Sequence, residues 1–289
     1  MTELTPPILV TGAGVTGGEV LRHLAASGLP ARALVRNLDR AEPFKKIGVE
    51  LIAGDFSLPE SWKRALDGVT KVFAVTLPHP DSEAWNATFL KAAEAAGIEQ
   101  IVQLSGTSVS SSSTAAFHRR MARCDDAVKA SGLGYTILQP NVFFQNMLAM
   151  AGPIRQHGRF RSAVGNARIS MIDVRDIAEV AVRTLTEDGH VGKTHVLTGP
   201  ESLTYYDVAR LLSEATGKRI EYEALGEAEA VKALVSLGIP EPIARDRVEI
   251  HLSFSNGKFT PVTGDVENLL GRGPRRFADF ARDHAAAFR

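Results

Sequence analysis

Ile8-Leu9-Val10-Thr11-Gly12-Ala13-Gly14-Val15-Thr16-Gly17 is the stretch on which the fold of this 289-residue chain turns. A short β-branched run leads into a GxGxxG turn, and Gly17 to Ser27 then reads as a helix. Each glycine in such a strand–turn–helix unit has its own purpose. Gly12 permits the tight turn, Gly14 lets the main chain approach a pyrophosphate, and Gly17 lets the helix pack closely on the strand. The helix N-terminus adds N–H donors and partial positive charge. Gly12, Ala13, Gly14, Val15, Thr16 and Gly17 are therefore expected to line a dinucleotide site.

Working outward, short β-branched runs alternate with longer amphipathic stretches rich in Ala and Leu, the pattern of βαβ units. Strands are expected at Ile8 to Thr11, Ala31 to Val35, Val49 to Ala53, Lys71 to Thr76, Gln100 to Leu104 and Tyr135 to Leu138. Helices are expected at Leu58 to Leu66, Asp81 to Ala96 and Thr114 to Ser131, with Gly28, Gly97 and Gly132 as helix stops. The fold class is α/β, a Rossmann-type doubly wound parallel sheet with a smaller, mostly helical C-terminal lobe. Residues 1–150 form the nucleotide-binding domain, with 168–198 packing back on it through the sheet-packing units Ile169 to Met171, a helix from Asp173 to Leu185 and a strand at His195 to Thr198. Residues 199–289 with 151–167 form the lobe, with helices at Tyr205 to Thr216, Glu227 to Leu237, Pro242 to Phe254 and Phe277 to Ala286. All strand C-termini then lie on one edge, where an open α/β sheet binds its ligand.

Composition narrows the function. Lys+Arg and Asp+Glu balance at 33 each, so no net field attracts a polyanion and nucleic acid is not an expected partner. The single cysteine, Cys124, forms no internal disulfide and no metal site, which fits a reducing compartment. The opening residues lack a basic segment followed by an apolar one, and no run of roughly eighteen apolar residues follows. A soluble, cytoplasmic protein with no membrane partner and no metal is expected. The one low-complexity patch, Ser110 to Ser113, reads as a mobile loop.

The second strand ends at Arg36, where an NAD-specific domain usually places an acid for the ribose 2′-hydroxyl. A guanidinium there pairs with a 2′-phosphate or stacks on adenine, and Arg40 is close enough to help. NADP(H) is the preferred cofactor, with NAD(H) as the alternative; the lesser reading of Arg36 is a solvated surface charge. After the third strand, Asp55 with Phe56 either accepts from the adenine amino group or serves as a turn residue. Thr76-Leu77-Pro78 closes the fourth strand, where a chain passes under the ribose. Ser105 with Gly106 ends the fifth, beside the expected nicotinamide position.

With these pieces in place the chain resembles the NmrA-like atypical short-chain dehydrogenases, a group of type 2 quinone oxidoreductases, triphenylmethane dye reductases and redox-sensing regulators. The resemblance is carried by residues 8–17, 33–36, 54–56, 130–146, Ile172-Asp173-Val174-Arg175-Asp176-Ile177-Ala178 and Leu197-Thr198-Gly199-Pro200. It implies that Pro140, Asn141, Phe143 and Phe144 lie along the nicotinamide, although core packing explains a phenylalanine equally well. The family turn is commonly GATGxxG, one residue longer than Gly12 to Gly17, and its usual Arg before Pro is Gln139 here.

Ordinary short-chain dehydrogenases protonate the product with a Tyr-x-x-x-Lys pair. Tyr135, Tyr205, Tyr206 and Tyr222 are followed at that spacing by Gln139, Ala209, Arg210 and Gly226, so the pair is missing. A strong acid matters when hydride arrival creates a localised alkoxide. Quinones, enones, imines and dyes spread or neutralise that charge, so positioning carries more of the catalysis. The expected function is NADPH-dependent hydride transfer to such a small molecule. The alternative is a non-catalytic NAD(P)H redox sensor that binds a protein partner, which the missing pair keeps open. Ser105 and His118 are the catalytic candidates. Ser105 reads equally as a polar strand end, whereas His118 reads first as a solvent-facing helix residue. His79, between two prolines on the ligand edge, is a third candidate. Asp173 reads as an N-cap, Thr204 and Asp207 as a capping box, and Cys124 as packing.

Overall fold

The computed structural model describes residues 5–75 and 79–289, so Thr76, Leu77 and Pro78 lie outside the described residues. In chain order, β1 (Ile8–Val10) leads to α1 (Val15–Ala26), β2 (Ala31–Val35) to α2 (Leu38–Lys45) and β3 (Glu50–Ala53) to α3 (Pro59–Ala65). Then β4 (Lys71–Val75) precedes α4 (Ser82–Ala95), and β5 (Gln100–Leu104) precedes α5 (Ala116–Ala130). After β6 (Gly134–Pro140) come a 3₁₀ turn over Phe144–Met150, α6 (Ala151–His157), β7 (Arg159–Ser162), α7 (Val174–Thr186) and β8 (Lys193–Leu197). Next are α8 (Tyr205–Thr216), β9 (Glu221–Ala224), α9 (Glu227–Ser236), α10 (Glu241–Ser253), α11 (Asp265–Leu270), α12 (Phe277–Asp283) and α13 (Ala285–Phe288).

Seven strands form one sheet in the order β3-β2-β1-β4-β5-β6-β8, and every pairing from β3 through β6 is parallel. Both faces are covered, so β1 and β5 are buried along their whole length, as a parallel sheet requires. On one face Leu9, Leu34, Ile52, Val72, Ile101 and Ile137 pack with Trp62 of α3, Phe89 of α4 and Val128 of α5. Elsewhere α1 packs on α7, whose amphipathic pattern buries Ile177, Val180, Ala181 and Leu185. The expected Rossmann-type α/β architecture is present.

The chain resolves into two compact units built from interleaved segments. One comprises the chain up to Gly106, Arg120–Gln139 and Val174–His195; the other comprises Thr107–Arg119, Pro140–Asp173 and Val196–Arg289. The second has its own aromatic core, in which Phe144 meets Phe277 edge-on at 5.1 Å and Phe160 lies 5.2 Å from Tyr222. The Thr204–Asp207 capping box starts α8 as the sequence predicts.

Several elements depart from expectation. The lobe read as helical also contains the two-stranded parallel pair β7–β9, which buries Phe160 and Tyr222. Of Ile169 to Met171, expected as a sheet-packing unit, Ile169 makes an isolated antiparallel bridge to Leu203. The helix expected over Phe277 to Ala286 is two, divided at His284, whose backbone (φ −110°, ψ 13°) leaves the helical path while its amide and Nδ1 both stand 3.0 Å from the Phe280 carbonyl.

The tightest approach in the first unit joins α1 to β1. A Cβ on Gly17 would stand 1.9 Å from the Gly12 carbonyl oxygen and 3.2 Å from Val10 Cγ1, whereas at Gly14 it would meet nothing within 4 Å. Gly17→Ala must displace main chain and is expected to cost about 1–3 kcal/mol. Gly14→Ala should cost less than about 1 kcal/mol, as at an ordinary N-cap. Urea unfolding of the two variants checks the contrast.

Candidate dinucleotide site

The glycine turn is fixed from behind by the sheet. The Thr11 amide donates to the Phe73 carbonyl at 3.1 Å, and its Oγ1 accepts from the Val75 amide at 2.9 Å, tying the end of β1 to β4. The turn then enters α1 through Gly14, the N-cap, which has no side chain to satisfy the first helical amides. No acid occupies the first turn of α1 either. Its positive pole is thus left without a carboxylate of its own, and the space beside Gly12 and Gly14 is open. Unsatisfied amides, partial positive charge and bare main chain fit a diphosphate. Thr16 is buried and Val15 exposed.

Parallel pairing brings Gly12 to Gly17, Arg36, Asp55 and Ser105 to the carboxyl ends of their strands. Arg36 follows β2 with its side chain 81% exposed, and its one ion pair among the described residues, with Asp55 at 3.9 Å, is long. Such a surface pair is weak, so the guanidinium remains available to an incoming anion. Arg40 is exposed in the first turn of α2, where its amide donates to Asn37 Oδ1 at 2.9 Å. Asp55 has the turn role: its Oδ1 accepts from the Ser57 amide at 2.8 Å and the Ser57 hydroxyl at 2.7 Å. These bonds hold its carboxyl below the usual range, with a smaller contribution from Arg36. The Phe56 ring points into the core against Trp62 at 4.8 Å and Phe89 at 5.5 Å.

Ser105 is buried just past β5, its amide donating to the Leu138 carbonyl at 2.8 Å; Gly106 beside it is half-buried. Its hydroxyl donates to Asp125 Oδ2 at 2.6 Å. Asp125 is only 3% exposed on α5, and burial pushes its carboxyl up to about 6. The Ser105 hydroxyl, Lys129 and Gln139 oppose that rise, and Asp126 adds to it. Asp125 was not legible as a site residue beside Cys124 and Asp126. The signal was present in its helical spacing from Met121 and Val128, both buried. His79, also in this unit, is half-exposed and stacks on Trp85 at 4.2 Å.

In the second unit His118 is buried, not solvent-facing. It sits 6.0 Å from the Phe259 ring, and burial lowers its imidazole pKa, so it is neutral near pH 7. Pro140 is buried, with its carbonyl accepting from the Thr107 amide at 2.9 Å. The Asn141 side-chain Nδ2 donates to Ser170 Oγ and to the Phe259 carbonyl, both at 2.8 Å, which commits it to loop structure. Phe143 is half-buried and bridges Ile172, whereas Phe144 is a core residue, 1% exposed. Asp173 immediately precedes α7, and its Oδ1 accepts from Gln145 at 2.8 Å. Cys124 is buried packing, its thiol pushed up to about 11 by desolvation. Among the described residues no His, Cys, Asp and Glu cluster suits a metal, and no helix is long and apolar enough to cross a membrane.

Residues 5–281 match the NmrA-like family. The chain belongs to that family. It is 37% identical over 281 residues to an NAD(P)H azoreductase of Xenophilus azovorans, covering 97% of this chain and 98% of that protein. Among solved structures it is similar to the triphenylmethane reductase of Citrobacter sp. complexed with NADP(H), with a TM-score of 0.84, 27% identity and coverage of 96% and 99% of the two chains. The NADPH-dependent quinone oxidoreductase of Escherichia coli complexed with NADPH aligns with a TM-score of 0.85, 26% identity and the same coverage. This NmrA-like chain therefore has the family's fold over almost its full length.

Burial of Asp125 has a measurable cost. The folded protein keeps this proton up to about pH 6, while the unfolded chain releases it near the ordinary aspartate value of 3.8. Between those values the folded state binds more protons, so stability falls as pH rises, by on the order of 3 kcal/mol in total. Asp125→Asn removes this contribution. The melting temperature of the variant relative to the parent should therefore be higher at pH 7 than at pH 4, which paired thermal scans check.

Proposed function

We propose that the protein is an NADPH-dependent reductase that transfers hydride to conjugated small molecules, with azo dyes, cationic dyes and quinones as the acceptor class. Residues 12–17 hold the diphosphate on main-chain amides at the start of α1, and Arg36 with Arg40 holds the 2′-phosphate. The observation that carries the reading is Arg36, exposed and weakly paired at the carboxyl end of β2, where an acid would favour the unphosphorylated ribose. The cofactor supplies hydride when bound; the chain binds it, orients it and provides for the accompanying proton. The similarity to an NAD(P)H azoreductase, and to a triphenylmethane reductase and a quinone oxidoreductase solved with NADP(H) or NADPH, supports both cofactor and acceptor.

These acceptors share a chemical trait. The charge created by hydride is delocalised or neutralised as it forms, so a strong tyrosine acid is not required. That agrees with a chain in which none of the four tyrosines has lysine four residues on.

Loss of absorbance of reduced nicotinamide with an azo dye, a triphenylmethane dye and a quinone tests the activity, and inertness toward all three would overturn the reading. For the cofactor, Arg36→Ala is expected to weaken NADPH at least about tenfold, the equivalent of one charge-assisted contact, and to leave NADH nearly unchanged. Calorimetric titration with both nucleotides measures it.

A further inference from the structure

Reduction of an acceptor A to AH₂ needs one hydride and one proton. The hydride comes from the reduced dinucleotide, and the tyrosine–lysine pair that would supply the proton is missing. A serine alone does not fill that role, because its hydroxyl is too weak an acid to lose a proton without taking up another. Ser105 has a source for the replacement. Its Oγ lies 2.6 Å from Oδ2 of Asp125, a carboxyl shut away from solvent on α5.

We infer that Asp125 and Ser105 form a two-state proton relay, in which Asp125 is the positioning residue and proton store and Ser105 Oγ is the group that delivers. The inference rests on the reductase reading above. It follows from the stoichiometry of a hydroxyl, which has one hydrogen and two acceptor lone pairs. With Asp125 ionised, the Ser105 hydrogen is drawn onto Oδ2, and the oxygen offers the acceptor only lone pairs. With Asp125 protonated, Oδ2–H donates to Oγ, and the Ser105 hydrogen is released to point away.

In delivery, the Oγ–H bond breaks toward the acceptor atom that hydride has made basic, while a new Oγ–H bond forms with the proton of Asp125. Serine ends neutral and Asp125 ends as carboxylate. After product leaves, a proton from water returns by the reverse route. No oxidant or further reductant is required.

The surroundings suit this role. On α5 the charges acting on Asp125 are Lys129 and Asp126, of opposite sign, with Cys124 next to it in the chain. From the strands it is faced by the neutral Ser105 after β5 and Gln139 of β6. Among the described residues the cation acting on the carboxyl is Lys129, which Asp126 opposes, and burial, by pushing the carboxyl up to about 6, lets it exchange a proton near neutral pH.

Two measurements test the relay. In cofactor-free protein carrying ¹³C-labelled aspartate, the resonance lost in Asp125→Asn should titrate near pH 6, and in Ser105→Ala it should move upward because the carboxylate loses its donor. With NADPH and a sulfonated azobenzene dye that has no ionisable amine or phenol, parent kcat should fall by up to about tenfold per pH unit above that titration. In Asp125→Asn and in Ser105→Ala, kcat should be low and flat from about pH 5 to about pH 8, with KM for NADPH unchanged. Ser105→Ala keeps the carboxyl in place, so it carries the test if the Asn variant folds poorly. An Asp125 resonance that does not titrate in this range, or variants that retain the parent slope, would overturn the relay and leave the reductase reading standing. A parent enzyme inert toward the dye and toward quinones at every pH would overturn both.

Discussion

The approach of α1 to β1 governs what the first unit can do. Gly17 has no Cβ, so the helix can settle against the Gly12 carbonyl, and Thr11 is bonded on both sides to the end of β4. The positive end of α1 is thereby held at the carboxyl edge of the sheet. Because Gly14 and the first helical turn bring neither a capping side chain nor an acid, the field of that end is left for a ligand. A serine or aspartate at position 14 would cap the helix better and would occupy that open space, so the glycine leaves the helix end less stable and more accessible.

The remaining site residues divide according to whether their polar atoms are already engaged. Asn141 and Asp55 are committed, the first to the Ser170–Phe259 segment and the second to its own turn. Phe144 and Phe56 are committed to cores. Arg36, by contrast, has among the described residues one long ion pair, and Ser105 a hydrogen bond to a buried carboxyl, the bond on which the proposed relay turns. Groups with unspent or switchable capacity are the ones that can respond to cofactor and acceptor, and here they are few.

Much of this was legible in the sequence because period and punctuation agree. The glycine turn, the β-branched runs and the helix stops at Gly28, Gly97 and Gly132, all with positive φ, locate the sheet and its ligand edge. What was missed has physical reasons. α2 has Pro43 in its interior and a weak apolar face, so only its Asn37 cap announces it. β7 and β9 are four residues each, and Arg159-Phe160-Arg161-Ser162 shows its alternation only when paired with Glu221-Tyr222-Glu223-Ala224. His118 reads as solvent-facing on a charged helix, and tertiary packing buries it; Asp125, also buried, carries only the faint signal of its spacing from Met121 and Val128. Burial of a polar residue is a property of its neighbours, which a linear pattern does not name.

The interleaving of the two units bears on how the chain is made. α7, which covers α1, and β8, the last strand of the sheet, come from residues 174–197, long after β1 has left the ribosome. Until that segment emerges, one side of the earliest helix stays uncovered, and the nascent sheet presents β6 as an open edge. Vectorial synthesis therefore cannot finish the first unit before most of the polypeptide exists, and the growing chain carries that open edge until then.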